Sequence, residues 1–425
     1  MTKIFLLPIE TSVRELDYKL LLSLELLKKK GKVFIGSKGH FSIFMKYFKN
    51  FNYIDKGFHL NVSEKIYSSI KELGGEIFSL DEEGAVDFKN NASLSLRYSK
   101  GAFEHSKRVY FWGEKQRNIY SKDNTKSLVT GHPRFELLGS ELKNIYFDEK
   151  NKIISRYGNF VLVNTNMSFG NNIRGDMFVE GNYIKRFPEI KKLIIQDKYK
   201  IKEICKVITK LLNNNYKVVL RPHPEEDLKF YEEFFQEHDN LFITNEGNVI
   251  PWIMASQFLI HTDCTTSIES LWLKKHCISI LPRYIDHNYI CPLPVELSVT
   301  SNIDNLMHDI SQLSGDSYID NKKLSILEDH FSFSKKSLKI ITEDLISNGK
   351  SNGKIQLFDM FMHAIKFKLT SLKTSEDKLI SSKLRGFNKK CITDKLKMMI
   401  DLQNTKESIS VVKITKYLYE IKTNN

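Results

Sequence analysis

Residues 4–39 read IFLLPIETSVRELDYKLLLSLELLKKKGKVFIGSKG, and this stretch decides the fold class. Ile4–Leu7 is an apolar run of strand length. Ser12-Val13-Arg14-Glu15 has the form of a capping box, in which a hydroxyl and a carboxylate three residues on satisfy each other's free amides. Leu16, Leu20, Leu24 and Leu27 recur at helical spacing until Gly31 ends the helix. A second apolar run, Val33–Ile35, closes on Gly36-Ser37-Lys38-Gly39. Strand, helix and strand in this order make a βαβ unit, which implies a parallel sheet with helices on both faces.

Outward from this unit the pattern continues. Glu76–Leu80, Arg108–Phe111 and Leu128–Thr130 read as strands, each followed by a polar or glycine-containing turn. Lys143–Asn159 is charged and Asn-rich, and after it the alternation restarts. Strands are expected at Phe160–Asn164, Lys217–Leu220, Leu241–Thr244, Phe258–Ile260 and Cys277–Leu281. Helices are expected at Ile201–Leu212, after Pro224, near Trp252 and at Thr266–Lys274. Two successive α/β halves predict two doubly wound, Rossmann-like domains facing a cleft, over residues 1–143 and 159–345. Residues 346–425 read as a helical, Lys-rich extension.

The bulk numbers agree with two cores. A chain of 425 residues, 41% hydrophobic and 27% charged, is globular rather than disordered. No apolar run approaches the roughly 18 residues of a spanning helix. Met1–Glu10 lacks the length and cleavage site of a signal peptide. Five scattered cysteines without a C-x-x-C pair argue against a disulfide framework or zinc, so a cytoplasmic location is expected. The net charge of +13 is uneven, since from Lys350 onward 16 Lys/Arg face seven Asp/Glu. No helix-turn-helix, RNP or zinc-finger pattern accompanies that charge, so nucleic acid is not the expected partner. An anionic membrane face or glycolipid suits it better, which would hold the protein peripherally at the inner membrane. A plain solvated basic face is the alternative.

Ligands of open α/β sheets sit beyond the carboxyl ends of strands, so the residues that follow each apolar run are the candidates. Asp81-Glu82-Glu83-Gly84 follows one strand, and crowding of three carboxylates would raise at least one pKa, as a general base requires. A solvated acidic turn would look the same. Arg221-Pro222-His223-Pro224-Glu225-Glu226 follows another, where two prolines stiffen the turn and Arg and His could hold a phosphate or a base. His261-Thr262-Asp263-Cys264-Thr265-Thr266-Ser267-Ile268-Glu269 could present hydroxyls and amides to an anion, or only cap a helix. Asn164-Thr165-Asn166-Met167-Ser168-Phe169-Gly170-Asn171 could contact phosphate or sugar, or be a plain loop. The glycine fingerprints of dinucleotide and P-loop sites are missing, as are metal-ligand spacings.

The opening Leu7-Pro8-Ile9-Glu10-Thr11 with Arg14-Glu15-Leu16-Asp17, then Lys32–Lys38, Leu80–Gly84, Phe111-Trp112-Gly113 and Gly131–Leu138, resembles bacterial surface carbohydrate biosynthesis proteins. The likeness runs over Lys3–Pro282, with an echo at Gly386–Lys390. It implies a GT-B fold shared with capsular Kdo transferases and bacterial polysialyltransferases. From those relatives Glu82 is implied as the general base, with Glu83 as the fallback. His223 and Pro224 would hold the cytidine nucleotide, and Thr265, Thr266 and Ser267 its phosphate; Arg221, Asn164 and Asn166 join them as nucleotide candidates by their places after strands. Glu10 and Arg14 would face the acceptor, although the relatives' acceptor loops have no match here. A second His-Pro, His132-Pro133, competes for the nucleotide role.

The resulting expectation is a glycosyltransferase of capsule or lipopolysaccharide synthesis. It would move an acidic sugar (Kdo or a nonulosonic acid) from a CMP-sugar donor to a glycan or lipid-linked glycan, with no cofactor and no metal. A CDP-glycerol-type transferase, a sugar-nucleotide epimerase and a non-catalytic scaffold of an assembly complex are the alternatives.

Overall fold

The apolar runs become strands, and their order in two sheets explains which strand ends meet. In a computed structural model the described residues are 2–59, 62–84, 87–315, 317, 319–333, 336–371 and 383–424. They form two compact units: residues 1–85, 95–145 and 326–425, and residues 86–94 and 146–325.

In the first unit β1 (Ile4–Ile9) lies parallel to β2 (Lys32–Ser37), joined by helix Ser12–Lys28 as the βαβ reading requires. β3 (Phe48–Lys49) is short. β4 (Asn52–Asp55), β5 (Glu76–Leu80), β6 (Arg108–Phe111) and β7 (Ser127–Val129) extend the parallel sheet in the order β2-β1-β4-β5-β6-β7. β1 carries an unbroken apolar run because both faces of the sheet are covered, and Ile4, Phe5, Leu6 and Leu7 are fully buried. The capping box is only half realised. Glu15 does reach back, accepting from the amides of Glu10 (3.1 Å) and Thr11 (2.9 Å). Ser12, however, is already helical, and its hydroxyl donates to the carbonyls of Lys383 and Arg385.

The second unit is a six-stranded parallel sheet: β8 (Val161–Asn164), β9 (Val218–Arg221), β10 (Leu241–Ile243), β11 (Leu259–His261), β12 (Cys277–Ile280) and β13 (Val299–Ser301). Its order is β10-β9-β8-β11-β12-β13, so the chain turns outward on opposite sides of β8. The pleat sends Val161 and Val163 toward helix Ile190–Asn213 and Leu162 toward Trp252 and Ile253. That is a doubly wound domain with a core on each face. Helix Phe147–Tyr157, in the charged stretch, closes one of these cores through Ile153 and Tyr157. The helix expected after Pro224 starts later, at Leu228, where Asp227 accepts from the Lys229 amide at 3.1 Å.

Compactness divides the C-terminal part differently from the 159–345 and 346–425 expectation, because residues 326–425 pack with the first unit. The extension is also not wholly helical. Helices Leu357–Ser371 and Lys389–Leu402 are present, but β14 (Lys354–Ile355) pairs with β3 and β15 (Ile409–Thr415) forms a hairpin with β16 (Leu418–Thr423). β16 runs antiparallel on the free edge of β2, which caps an otherwise open sheet edge. Residues 372–382 of the extension lie outside the described residues.

Candidate functional site

In the first unit the three carboxylates after β5 have three different fates. Asp81 is 1% exposed; its Oδ2 meets Arg97 Nε at 2.7 Å, and its Oδ1 accepts from the Glu83 amide. Glu82 points inward. It accepts from the Tyr18 hydroxyl, and Lys19 Nζ stands 4.0 Å and His132 Nε2 3.9 Å from its two oxygens. Glu83 lies nearer the surface, clamped between Arg14 (3.0 Å) and Arg97 (2.6 Å).

The environments push these groups apart. Burial, and then the nearby Glu15, raise the Glu82 carboxyl, with Lys19, Arg134 and Arg14 pulling the other way. Burial also acts to raise Glu83, but Arg97 and Arg14 outweigh it and hold that carboxyl far below the usual range. The raised group therefore owes its shift to burial and Glu15, not to crowding by Asp81 and Glu83. Glu83 is a poor proton acceptor. Gly84 is where it is because a β-carbon there would press on the Trp112 indole at 2.8 Å.

The acceptor candidates are also paired: Glu10 with Lys56 at 2.9 Å, and Arg14 with Glu83. His132 is 2% exposed, and its Nδ1 accepts from the Arg134 amide at 3.1 Å to cap helix Pro133–Leu138. Burial, with Arg134, Lys19 and Arg14, keeps its ring neutral. His132 thus serves as a helix cap through Nδ1, while its buried Nε2 has no hydrogen-bond partner among the described residues.

In the second unit the turns after β8, β9 and β11 converge at the point where the strand order reverses. That is the place where open α/β sheets hold ligands. Asn166 Nδ2 reaches Asp263 Oδ1 at 3.2 Å, and Asn164 Nδ2 donates to Thr266 Oγ1 at 3.0 Å, so the β8 and β11 turns are tied across the switch. Asp263 in turn holds Lys200 of the long helix at 2.9 and 3.1 Å. Burial works against the Asp263 carboxylate, but Lys200 outweighs it and the group stays ionised.

Glu226 joins the β8 and β9 turns. It is fully buried, and its Oε1 accepts from Thr165 Oγ1 (2.7 Å), the Met167 amide (2.8 Å) and the His223 amide (3.2 Å). Its Oε2 accepts from the Tyr231 hydroxyl at 2.7 Å. The turn bearing His223 is thus fixed by a residue whose only sequence signal was a place in a helix start. Neither Glu226 nor the Lys200–Asp263 pair stands out in the sequence as a site residue, because Thr165 and Met167 lie far from Glu226 along the chain, as Lys200 does from Asp263.

The eight nucleotide candidates separate by what their polar atoms already do. Arg221 is turned into the fold: it donates to the carbonyls of Glu246 (2.8 Å) and Gly247 (3.2 Å) and lies over the Trp252 ring. Burial lowers its pKa to about 10. Ser267 is 1% exposed, with its hydroxyl toward the Pro294 carbonyl. Asn166 is engaged by Asp263 and by the Thr262 hydroxyl.

Of the other five, Thr266 already uses its hydroxyl, which accepts from Asn164 Nδ2 and donates to Cys264 Sγ at 3.2 Å, and four remain presentable to a ligand. His223 and Pro224 are exposed, and Thr265 and Thr266 are half-buried. His223 Nδ1 accepts from the Glu225 amide at 3.3 Å, which assigns the ring proton to Nε2 and makes that atom an outward donor. Asn164 is 3% exposed, and among the described residues its Oδ1 has no hydrogen-bond partner. The hollows near Phe234 and near Asn159 and Lys217 lie by the amino ends of these strands, the wrong edge for such a ligand.

No family model matches the chain, and no curated protein matches it. Solved structures do. The UDP-GlcNAc 2-epimerase of Methanocaldococcus jannaschii, in complex with UDP-GlcNAc and UDP, superposes with a TM-score of 0.52 at 11% identity, over 82% of this chain and 100% of that one. A variant of the wall teichoic acid polymerase TagF gives 0.50 at 13% identity, over 81% and 88%. The fold is GT-B-like. At such identities the likeness concerns the fold alone, two Rossmann-like domains as the sequence reading expected. All five cysteines are free, and among the described residues no helix is long and apolar enough to cross a membrane.

Proposed function

We propose that this protein is a glycosyltransferase of surface-polysaccharide synthesis that takes its sugar from a nucleotide-activated donor held on the second unit. The observation that carries this reading is the convergence of His223, Asn164, Thr265 and Thr266 at the strand-order reversal. There the imidazole N–H of an exposed histidine and a buried amide oxygen without a hydrogen-bond partner among the described residues stand ready for a polar ligand. The Nε2–H of exposed His223 is a donor for a nucleotide, and the Thr265 hydroxyl suits its phosphate. The Asn164 oxygen needs a donor, which a ribose hydroxyl or a base amine provides. A GT-B-like neighbour that binds UDP-GlcNAc and UDP, and another named as a teichoic acid polymerase, support the nucleotide-donor class.

The finer reading keeps a CMP-activated Kdo or nonulosonic acid as donor and Glu82 as general base. Its raised pKa, an oxygen with no hydrogen-bond partner among the described residues, and its place after β5 support that role over Glu83. No cofactor or metal takes part in this scheme.

Melting shifts with CMP, CDP, UDP and GDP test the reading. CMP should give the largest stabilisation, and His223→Ala should weaken it at least tenfold, about 1.4 kcal/mol, without changing the melting temperature of the free protein. Preference for CDP or UDP would move the donor to a CDP-glycerol or UDP-sugar, the latter with an epimerase as the enzyme. No shift with any nucleotide would leave a non-catalytic scaffold.

A further inference from the structure

Helix Leu357–Ser371 has two faces of unlike chemistry. On the inner side Met360 and Ala364 are buried, and the rings of His363 and Phe367 meet Phe44 at centroid distances of 4.8 and 5.6 Å. At about 100° per residue, Phe358, Met362, Ile365 and Leu369 fall within an arc of about 60° on the opposite side. They are 76, 44, 57 and 62% exposed. Single exposed apolar residues need no explanation, but four aligned along three turns of one helix do.

The charges around the stripe indicate what covers it. Lys366 and Lys368 stand about 80° to either side of the stripe, and both are exposed. Exposed Lys354 of β14 pairs in register with exposed Lys49 of β3, and Lys46 Nζ lies over the Tyr47 ring, which meets the His363 ring at a centroid distance of 5.7 Å. Residues 350–371 hold four lysines and one acid, Asp359. A second copy docking through the same face would set these lysines against each other. A layer of anionic headgroups pairs with them.

We propose that this face is a membrane-docking surface: the stripe enters the boundary between headgroups and acyl chains of an anionic bilayer, and the lysine rim binds lipid phosphates. This stands apart from the nucleotide reading and is tested without nucleotide.

The full-length protein is sedimented with vesicles of phosphatidylcholine containing phosphatidylglycerol, and with pure phosphatidylcholine. Binding to the anionic vesicles should be at least roughly tenfold tighter and should weaken with added salt. The double substitution Ile365→Asp with Leu369→Asp should abolish binding while melting is unchanged, because both side chains are exposed. Lys366→Glu with Lys368→Glu should reduce binding and its salt dependence. Three results would overturn the proposal: no binding by the folded wild type, equal binding by the aspartate variant, or a dimer in solution that Ile365→Asp dissociates.

Discussion

Replacing Glu226 probes the organisation of the second unit most directly, because one buried carboxylate satisfies four donors from three segments. Hydrogen bonds to a charged acceptor contribute about 1.5–3 kcal/mol each, against about 0.5–1.5 for neutral ones. Glu226→Gln keeps an oxygen for Thr165, Met167 and His223 but gives up the charge, and it turns an amide toward the Tyr231 hydroxyl. The expected cost is about 2–3 kcal/mol, which in a unit of this size lowers the melting temperature by roughly 5–10 °C. Glu226→Ala strands four donors and should cost about 4 kcal/mol or more. Because the His223 amide hangs on the same oxygen, nucleotide affinity should fall in Glu226→Gln even at temperatures where the variant is folded. Circular dichroism melts and calorimetric titration with the preferred nucleotide read both effects, with exposed Glu232→Gln as control. If Glu226→Gln melts within a degree or so of wild type and binds nucleotide equally well, the carboxylate does not organise the turn and this reasoning is wrong.

Asp81→Ala leaves the buried Arg97 guanidinium without its Nε partner and should destabilise the first unit by about 3–5 kcal/mol, seen as an early melt. Burial raises the Asp197 carboxyl to about 7, so between its unfolded value of 3.8 and 7 the native state holds a proton that the unfolded chain has released. Stability therefore falls as pH rises through that window, and Asp197→Asn should raise the melting temperature more at pH 8 than at pH 5. An equal shift at both pH values would remove Asp197 from the account. Glu82→Gln should lower sugar transfer at least a hundredfold while nucleotide binding persists, whereas Glu83→Gln should mainly loosen Arg14 and Arg97. A larger catalytic loss at Glu83 would reassign the base.

What the sequence determined by itself was whatever local periodicity carries. Ile4–Leu7 and Val33–Ile35 flank a leucine-spaced helix, and that is enough for a βαβ unit and a parallel sheet. The strands of the second half followed from apolar runs ended by polar turns, and those ends marked Asn164, His223 and Thr266. β4 escaped notice because Asn52–Asp55 is bounded by polar residues. It is a strand because it lies between β1 and β5, with the Asn52 amide bonded to the Ile4 and Lys350 carbonyls. Residues 409–423 are a hairpin rather than a helix because β2 offers them a free edge, a partner more than 370 residues earlier in the chain.

The same reason separates the candidate residues. Residue type nominated Arg221 and Ser267, but only tertiary packing shows their polar groups facing Glu246, Gly247 and Pro294. Three adjacent carboxylates look alike in sequence. Arg97 and Arg14 make one a fixed anion, and burial beside Glu15 makes another a raised acid. Those charges arrive from other strands and helices, and a field set by distance in space cannot be read from distance along the chain.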